Sequence, residues 1–180
     1  AREEQEERLT SYRRLLAWAR QTGALAPVQA DRLTVAAAAQ PDDANMALAE
    51  TIAVREAIYH LFSALAAGRP LPDDALSTLN GALTEALGHL RLSASATGPT
   101  WEWVDGGERF TRPLWPVVRS AAELLTSADR VRVRECAGTG CGWLFLDTSR
   151  NGSRRWCDTR DCGNRERVRR HYARQKRSSC

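Results

Sequence analysis

The sequence predicts a mainly α chain with small β elements (α+β), a helical N-terminal domain followed by a compact four-cysteine module. Three observations carry this. Apolar residues recur at three- and four-residue steps through most of 3–125. The pattern turns to alternation only in short stretches, near 90–111 and again from 131 to 146. Four of the five cysteines fall within 136–162, in two matched pairs.

The first helix is expected over 3–22. Leu9, Tyr12, Leu15, Leu16 and Ala19 form its apolar side, and Gly23 supplies the stop. Glu3, Glu4, Glu6 and Glu7 would sit at the positive end of its dipole. A second helix is predicted from Pro27 to Ala39, with proline in the first turn, where its missing N–H costs nothing, and Pro41 ending it. The third and longest, about 43–67, carries a wide apolar face (Ala47, Thr51, Val54, Ile58, Leu61, Leu65) that implies burial on most sides. A fourth begins at Asp73 or Asp74. Its stripe Leu76, Leu79, Leu83, Leu87, Leu90 reads as core, with a dimer seam or ligand pocket as the alternative.

Leu90, Leu92 and Ala94 then alternate, as do Trp101 and Trp103. With Gly98-Pro99 and Gly106-Gly107 as turns, this predicts a short β-meander of two or three strands. A fifth helix starts at Pro113-Leu114-Trp115-Pro116. Val131 and Val133 alternate with arginines in a strand leading to Cys136, and the domain boundary is placed near 129. The two parts are thus 1–129 and 130–180.

Net charge is +4, but it is unevenly placed. Residues 130–180 hold 14 Lys+Arg against 5 Asp+Glu, a net of +9, while residues 1–129 carry the other 12 and 17, a net of −5. A basic footprint of this kind suits a polyanion such as nucleic acid, with a solvated tail as the plain alternative. No run approaches the roughly 20 apolar residues of a membrane span, so no membrane partner is expected.

Cys136, Cys141, Cys157 and Cys162 follow C-x4-C, fifteen residues, C-x4-C. Each close pair can turn two sulfurs toward one centre, and the intervening stretch is long enough to bring the pairs together. One Zn²⁺, held tetrahedrally by the four thiolates, is the expected cofactor. Two disulfides or an iron–sulfur cluster are the alternatives. No apolar signal segment opens the chain and Cys180 would be left odd, which favours zinc and a cytoplasmic location. Four thiolates leave no open position, so the zinc is expected to be structural.

Within this module Trp143 to Leu146 reads as a strand, Asn151-Gly152 as a turn, and Arg154-Arg155-Trp156 as the returning strand. Asp161 would cap a final helix from about Cys162. Knuckle, hairpin and helix together look like a treble clef. On that helix Val168 and Tyr172 should pack on the hairpin, leaving Arg167, Arg170, Arg174 and Arg177 on another face. Trp143 and Trp156 are expected to bury against the module, with stacking on bases as the alternative. Arg154, Arg155, Arg165, Arg167, Arg169, Arg170, Arg174 and Lys176 are the candidate nucleic-acid contacts. For Arg165 an alternative is open: holding the hairpin through backbone carbonyls.

The runs Cys141-Gly142-Trp143-Leu144-Phe145-Leu146-Asp147, Ser149-Arg150-Asn151, Arg154-Arg155-Trp156-Cys157 and Cys162-Gly163-Asn164-Arg165, ahead of Arg169-Arg170-His171-Tyr172, closely resemble the CGNR zinc-finger family. Arg112-Pro113-Leu114-Trp115-Pro116 and Ser120 to Leu125 are similar to the ABATE domain that precedes that finger in bacterial proteins described as stress-induced transcription regulators. The resemblance implies a zinc-dependent DNA-binding regulator. One departure is that the short apolar opening with an Asn-Thr pair, usual in such proteins, is not in this sequence, which leaves the edge of the N-terminal core open.

Other readings of the residues are an RNA-binding or ribosome-associated zinc module, and a zinc-stabilised protein-interaction adaptor. The helical domain would sense a small-molecule effector or mediate association as a homodimer. An enzyme is not expected: no carboxylate pair, nucleophile–base arrangement or phosphate-binding glycine loop is present, and His60, His89 and His171 read as packing or surface residues.

Overall fold

A computed structural model describes residues 7–104 and 108–178 of the chain, with side chains to 175. Helix α1 spans Tyr12–Thr22, not 3–22. Ser11 has extended backbone, and its hydroxyl accepts from the Arg14 N–H, which fixes the start there. Gly23, at φ 76°, ends the helix as expected. The first turn of α1 holds no acidic residue. Glu7 lies before α1 and accepts two 2.8 Å bonds from Arg55, which hold its carboxyl down at about 2. Glu3, Glu4 and Glu6 lie outside the described residues.

Helix α2 runs Pro27–Ala39 and α3 runs Pro41–Ala66. Pro41 both stops α2 and opens α3, followed by Asp42 and Asp43 in the first turn where the dipole favours them. Helix α3 is the spine. Its first half closes one core with α1 and α2 around Leu15, Leu16, Leu25, Leu33 and Ala47. Its second half forms a larger core with α4 (Asp73–Gly88) and α5 (Trp115–Thr126), around Val54, Leu61, Leu79, Trp115 and Val118. Leu61 has no exposed surface. Leu61→Ala is expected to cost about 2–5 kcal/mol of unfolding free energy, read as a lower denaturation midpoint with unchanged slope.

The leucine stripe of α4 is core: Leu79 is buried, and Leu76 and Leu83 pack against the same cluster. Leu87 stands out to solvent and Leu90 has passed into a strand. Strands β1 (Leu90–Ser95) and β2 (Gly98–Trp103) form an antiparallel hairpin. Its turn is Ala96-Thr97. Gly98, at φ 118°, opens β2 opposite Ser95 rather than forming the turn. Gly106-Gly107 lies outside the described residues. Arg112 is buried in a 3₁₀ turn (Arg112–Leu114), its guanidinium 5.0 Å from the Trp115 ring centre and 5.6 Å from that of Trp103.

After α5 a second 3₁₀ turn (Ala128–Arg132) replaces the first part of the expected strand, leaving Val131 exposed. Strand β3 is short, Val133–Glu135, and pairs antiparallel with β4 (Leu144–Leu146) in the register Val133↔Leu146. Val133 is buried in the larger helical core, Leu144 and Leu146 pack against it, and Ser63 donates to Glu135 at 3.3 Å. The module is therefore anchored on α3.

The Asn151-Gly152 turn forms, with Gly152 at φ 59°, but 154–156 is not a returning strand. β4 already has β3 as partner. The segment is tied elsewhere: the Ala137 N–H donates to the Arg155 carbonyl at 2.9 Å, and the Arg154 N–H to Asp147 Oδ2 at 3.0 Å. The final cap is Asp158 rather than Asp161. Its carboxylate accepts from the N–H groups of Arg160 and Asp161, opening a wide turn, Thr159–Gly163, that runs into α6, Asn164–Ser178. Among the described residues no helix is long and apolar enough to cross a membrane.

Candidate metal centre and nucleic-acid interface

The two cysteine pairs converge. Cys136 comes after β3, Cys141 precedes β4, Cys157 ends the returning segment and Cys162 lies in the wide turn before α6. Their sulfurs all lie within 4.8 Å of one another. Three separations are 3.5 Å (Cys141–Cys162), 3.6 Å (Cys157–Cys162) and 3.7 Å (Cys141–Cys157). A tetrahedron of thiolates at the usual Zn–S distance of about 2.3 Å has edges of about 3.8 Å, so the donor set and its size fit zinc. All four thiols are free, which removes the disulfide alternative. Cys136, Cys141 and Cys162 are buried.

The surroundings favour ionised sulfur unevenly. Desolvation raises the Cys136 thiol, but N–H groups of Cys157 and Gly138, 3.3 and 3.4 Å from its sulfur, outweigh this and leave it below the ordinary thiol value. Desolvation and neighbouring sulfurs push Cys141 and Cys157 up. Four thiols this close cannot all ionise against one another; a dication removes that obstacle. Gly138 also lies close against Cys162. A Cβ there would stand 3.3 Å from Cys162 Cβ and 3.4 Å from its sulfur.

Asp147, fully buried, holds the loop between the pairs. Its carboxylate accepts from Ser149 Oγ at 2.5 Å and from the N–H groups of Ser149 and Arg154 at 3.0 Å. These bonds, the Ser149 hydroxyl first, hold its carboxyl below the usual range. Arg132 clamps the same loop, donating to the carbonyls of Asp147 (2.8 Å) and Ser149 (3.1 Å). Asp147 and Asp158 thus serve a loop and a cap.

The basic candidates separate into two groups. Arg154 turns inward: it donates to the carbonyls of Trp156 (2.9 Å) and Cys157, and its guanidinium lies 4.7 Å from the Phe145 ring centre. Arg165 also faces the centre, 3.0 Å from Cys162 Sγ and 3.2 Å from Asp161 Oδ1. The carbonyl-clamping role raised for Arg165 belongs to Arg154. Both remain exposed, as are Arg155, Arg167, Arg169, Arg170 and Arg174. Arg155 and Arg170 approach the Trp156 ring at 5.6 and 5.9 Å, which brings the returning segment beside α6. Arg167 and Arg174 are exposed on α6, and Arg169 pairs with Glu166 at 3.2 Å. Lys176 and Arg177 lie on α6 beyond the described side chains.

Two family models match the chain. The ABATE model, described as "Putative stress-induced transcription regulator", matches residues 1–128, and the CGNR zinc finger model matches 132–175. The chain belongs to the ABATE family. Of the curated proteins, none matches. The CGNR match and the clustered cysteines together mean that the chain binds a zinc ion, and Cys136, Cys141, Cys157 and Cys162 are the group placed to hold it. ABATE and CGNR are a regulator family and a zinc-finger family, not enzyme families.

Two expectations within the finger are overturned. Val168 and Tyr172 do not pack on the hairpin; they are 45% and 66% exposed. The first turns of α6 hold to the module through Arg165, Arg170 and Glu166, whose carboxylate accepts from the Thr139 N–H at 3.0 Å. From Val168 to Gln175 every described residue is exposed. Trp143 is 51% exposed rather than buried, while Trp156 does pack against the cysteines. Sequence reasoning missed Gly138, Arg132 and Glu166. Glu166 alone left a signal, as the one acidic residue in an otherwise basic helix.

Proposed function

We propose that this chain is a zinc-dependent DNA-binding regulator of the cytoplasm, dividing at 129/130 into a helical domain and a finger that meets DNA. The observation that carries this is α6. Its root is fixed to the metal centre, yet its outer turns present Arg167, Arg170 and Arg174 to solvent, with Arg155 alongside across Trp156. A helix of about 15 residues is marginal alone in water. One held at its base and cationic along its length suits a duplex groove, where phosphates neutralise it. Arg155, Arg167, Arg169, Arg170, Arg174 and Lys176 make the contacts in this reading, with Arg154 left to the scaffold.

The helical domain would then receive the signal. A half-open, mostly apolar depression among α1, α2 and α3, bordered by Tyr12, Leu16, Thr34, Ala37 and Ala44, would be the place for a small-molecule effector in this reading.

A second reading, binding of single-stranded RNA, is favoured by the exposed Trp143, which offers a stacking face. Competition separates the two. Duplex DNA is expected to displace a labelled duplex at lower concentration than single-stranded RNA of equal length. Preference for the single strand, lost in Trp143→Ala, would replace the DNA reading with the RNA one.

A further inference from the structure

The guanidinium of Arg165 makes two directed contacts. Its Nη2 donates to Cys162 Sγ at 3.0 Å, and its Nε faces Asp161 Oδ1 at 3.2 Å. Asp161 thereby fixes the plane of the group so that one edge rests on the sulfur. Four thiolates around Zn²⁺ leave two negative charges on the centre, and the sulfurs must spread them. Cys136 is served by the N–H groups of Gly138 and Cys157, and Cys141 by that of Trp143. On Cys162 a full cation takes that place, in a shorter contact than either backbone bond to Cys136.

We infer that Arg165 is a positioning residue of the zinc centre, neutralising charge on the Cys162 thiolate, and not a nucleic-acid contact. It works through Cys162, which stands at the root of α6. Neutralising that sulfur makes it a poorer nucleophile and a poorer proton acceptor, so the ligand is held on the metal. The same side chain couples the centre to the helix: Arg165 lies in the first turn of α6, and its bond to the anionic centre anchors that turn against repulsion from Arg167, Arg169 and Arg170. These two contacts engage the Nε and one Nη2 hydrogen and hold the group against the module.

The test uses the full zinc-loaded chain and three variants, Arg165→Gln, Arg165→Lys and Arg167→Gln. Zinc transfer to a chromogenic chelator is timed, and the sulfur-to-metal charge-transfer band is recorded on the Co²⁺-substituted proteins. Loss of a partner that tunes a ligand typically weakens metal binding about 10–100-fold. Arg165→Gln is expected to release zinc at least about tenfold faster, in line with that loss. Its cobalt band should move to longer wavelength, because the sulfur lone pair rises in energy when the donor goes; a role in packing alone would leave the band in place. Arg165→Lys, which keeps the charge, should fall close to the parent in both, and Arg167→Gln should match it. Should Arg165→Gln take up no metal, uptake by Arg165→Lys supports the inference. Equal failure of both variants overturns it. So does Arg165→Gln with unchanged release and band, above all if its salt dependence on duplex DNA drops by about one phosphate. Both metal readouts stand even for a chain that binds no DNA.

Discussion

Cys162→Ser is expected to cost the finger its zinc and its fold. Cys162 is 1% exposed, touches the sulfurs of Cys141 and Cys157, and carries the Arg165 contact at the root of α6. A serine hydroxyl stays protonated at neutral pH and is a poor fourth ligand. Structural zinc sites contribute about 10–16 kcal/mol in small finger peptides, far more than a core this small supplies. That core is little more than Phe145 and Trp156 packed on the cysteines. The variant should therefore hold well under one zinc per chain by elemental analysis, lose helical ellipticity equivalent to α6, and bind no duplex. The helical domain should survive, weakened where Val133 leaves its core. Full zinc content with unchanged ellipticity would show that three cysteines suffice.

The second large effect is electrostatic. Replacing Arg167, Arg170 and Arg174 together by glutamine should lower duplex affinity about 10²–10³-fold near 0.1 M salt and flatten the log–log salt slope by about 2.7. Zinc content should not change, because all three side chains are exposed on α6 and the cysteine sulfurs are served by other groups. Arg170 does approach Trp156, a contact worth about 0.5–1 kcal/mol at an exposed site and too small to unfold a zinc-held module. Binding that is undiminished in the triple variant, measured by anisotropy with the zinc in place, would transfer the interface to another surface. Retained binding to a protein partner with no nucleic-acid affinity in the parent would favour the adaptor reading.

The sequence made some features legible and hid others for identifiable reasons. Helices α2 to α5 announce themselves by period and by proline and glycine stops, because those marks act within a few residues. The four cysteines are equally plain, since a metal needs its ligands at close spacings. The start of α1 was hidden by a run of glutamates that favour a helix N-terminus anywhere; Ser11 decides it, and Glu7 is drawn to Arg55, 48 residues away. The partner of β4 was hidden too. Asn151-Gly152 signals a local hairpin and the turn does form, but β3, on the far side of the first cysteine pair, takes the strand. Such pairing leaves no local mark.

The basic residues show the same limit. Spacing of three and four puts Val168 and Tyr172 on one side of α6 but does not say what that side meets, and it meets solvent. Composition marks Arg154 and Arg165 as cations like their neighbours. Only the fold shows Arg154 bonded to the carbonyls of Trp156 and Cys157 and Arg165 to a cysteine sulfur.

The most direct measurement is the affinity of the zinc-loaded chain for a short duplex as salt is raised, repeated after the metal is stripped by a chelator. Four to six phosphates engaged by the exposed arginines predict a log–log slope of roughly −4 to −5, with binding lost on chelation and restored by added zinc. A slope near zero with zinc in place, or binding indifferent to the chelator, would contradict a zinc-organised DNA-binding finger.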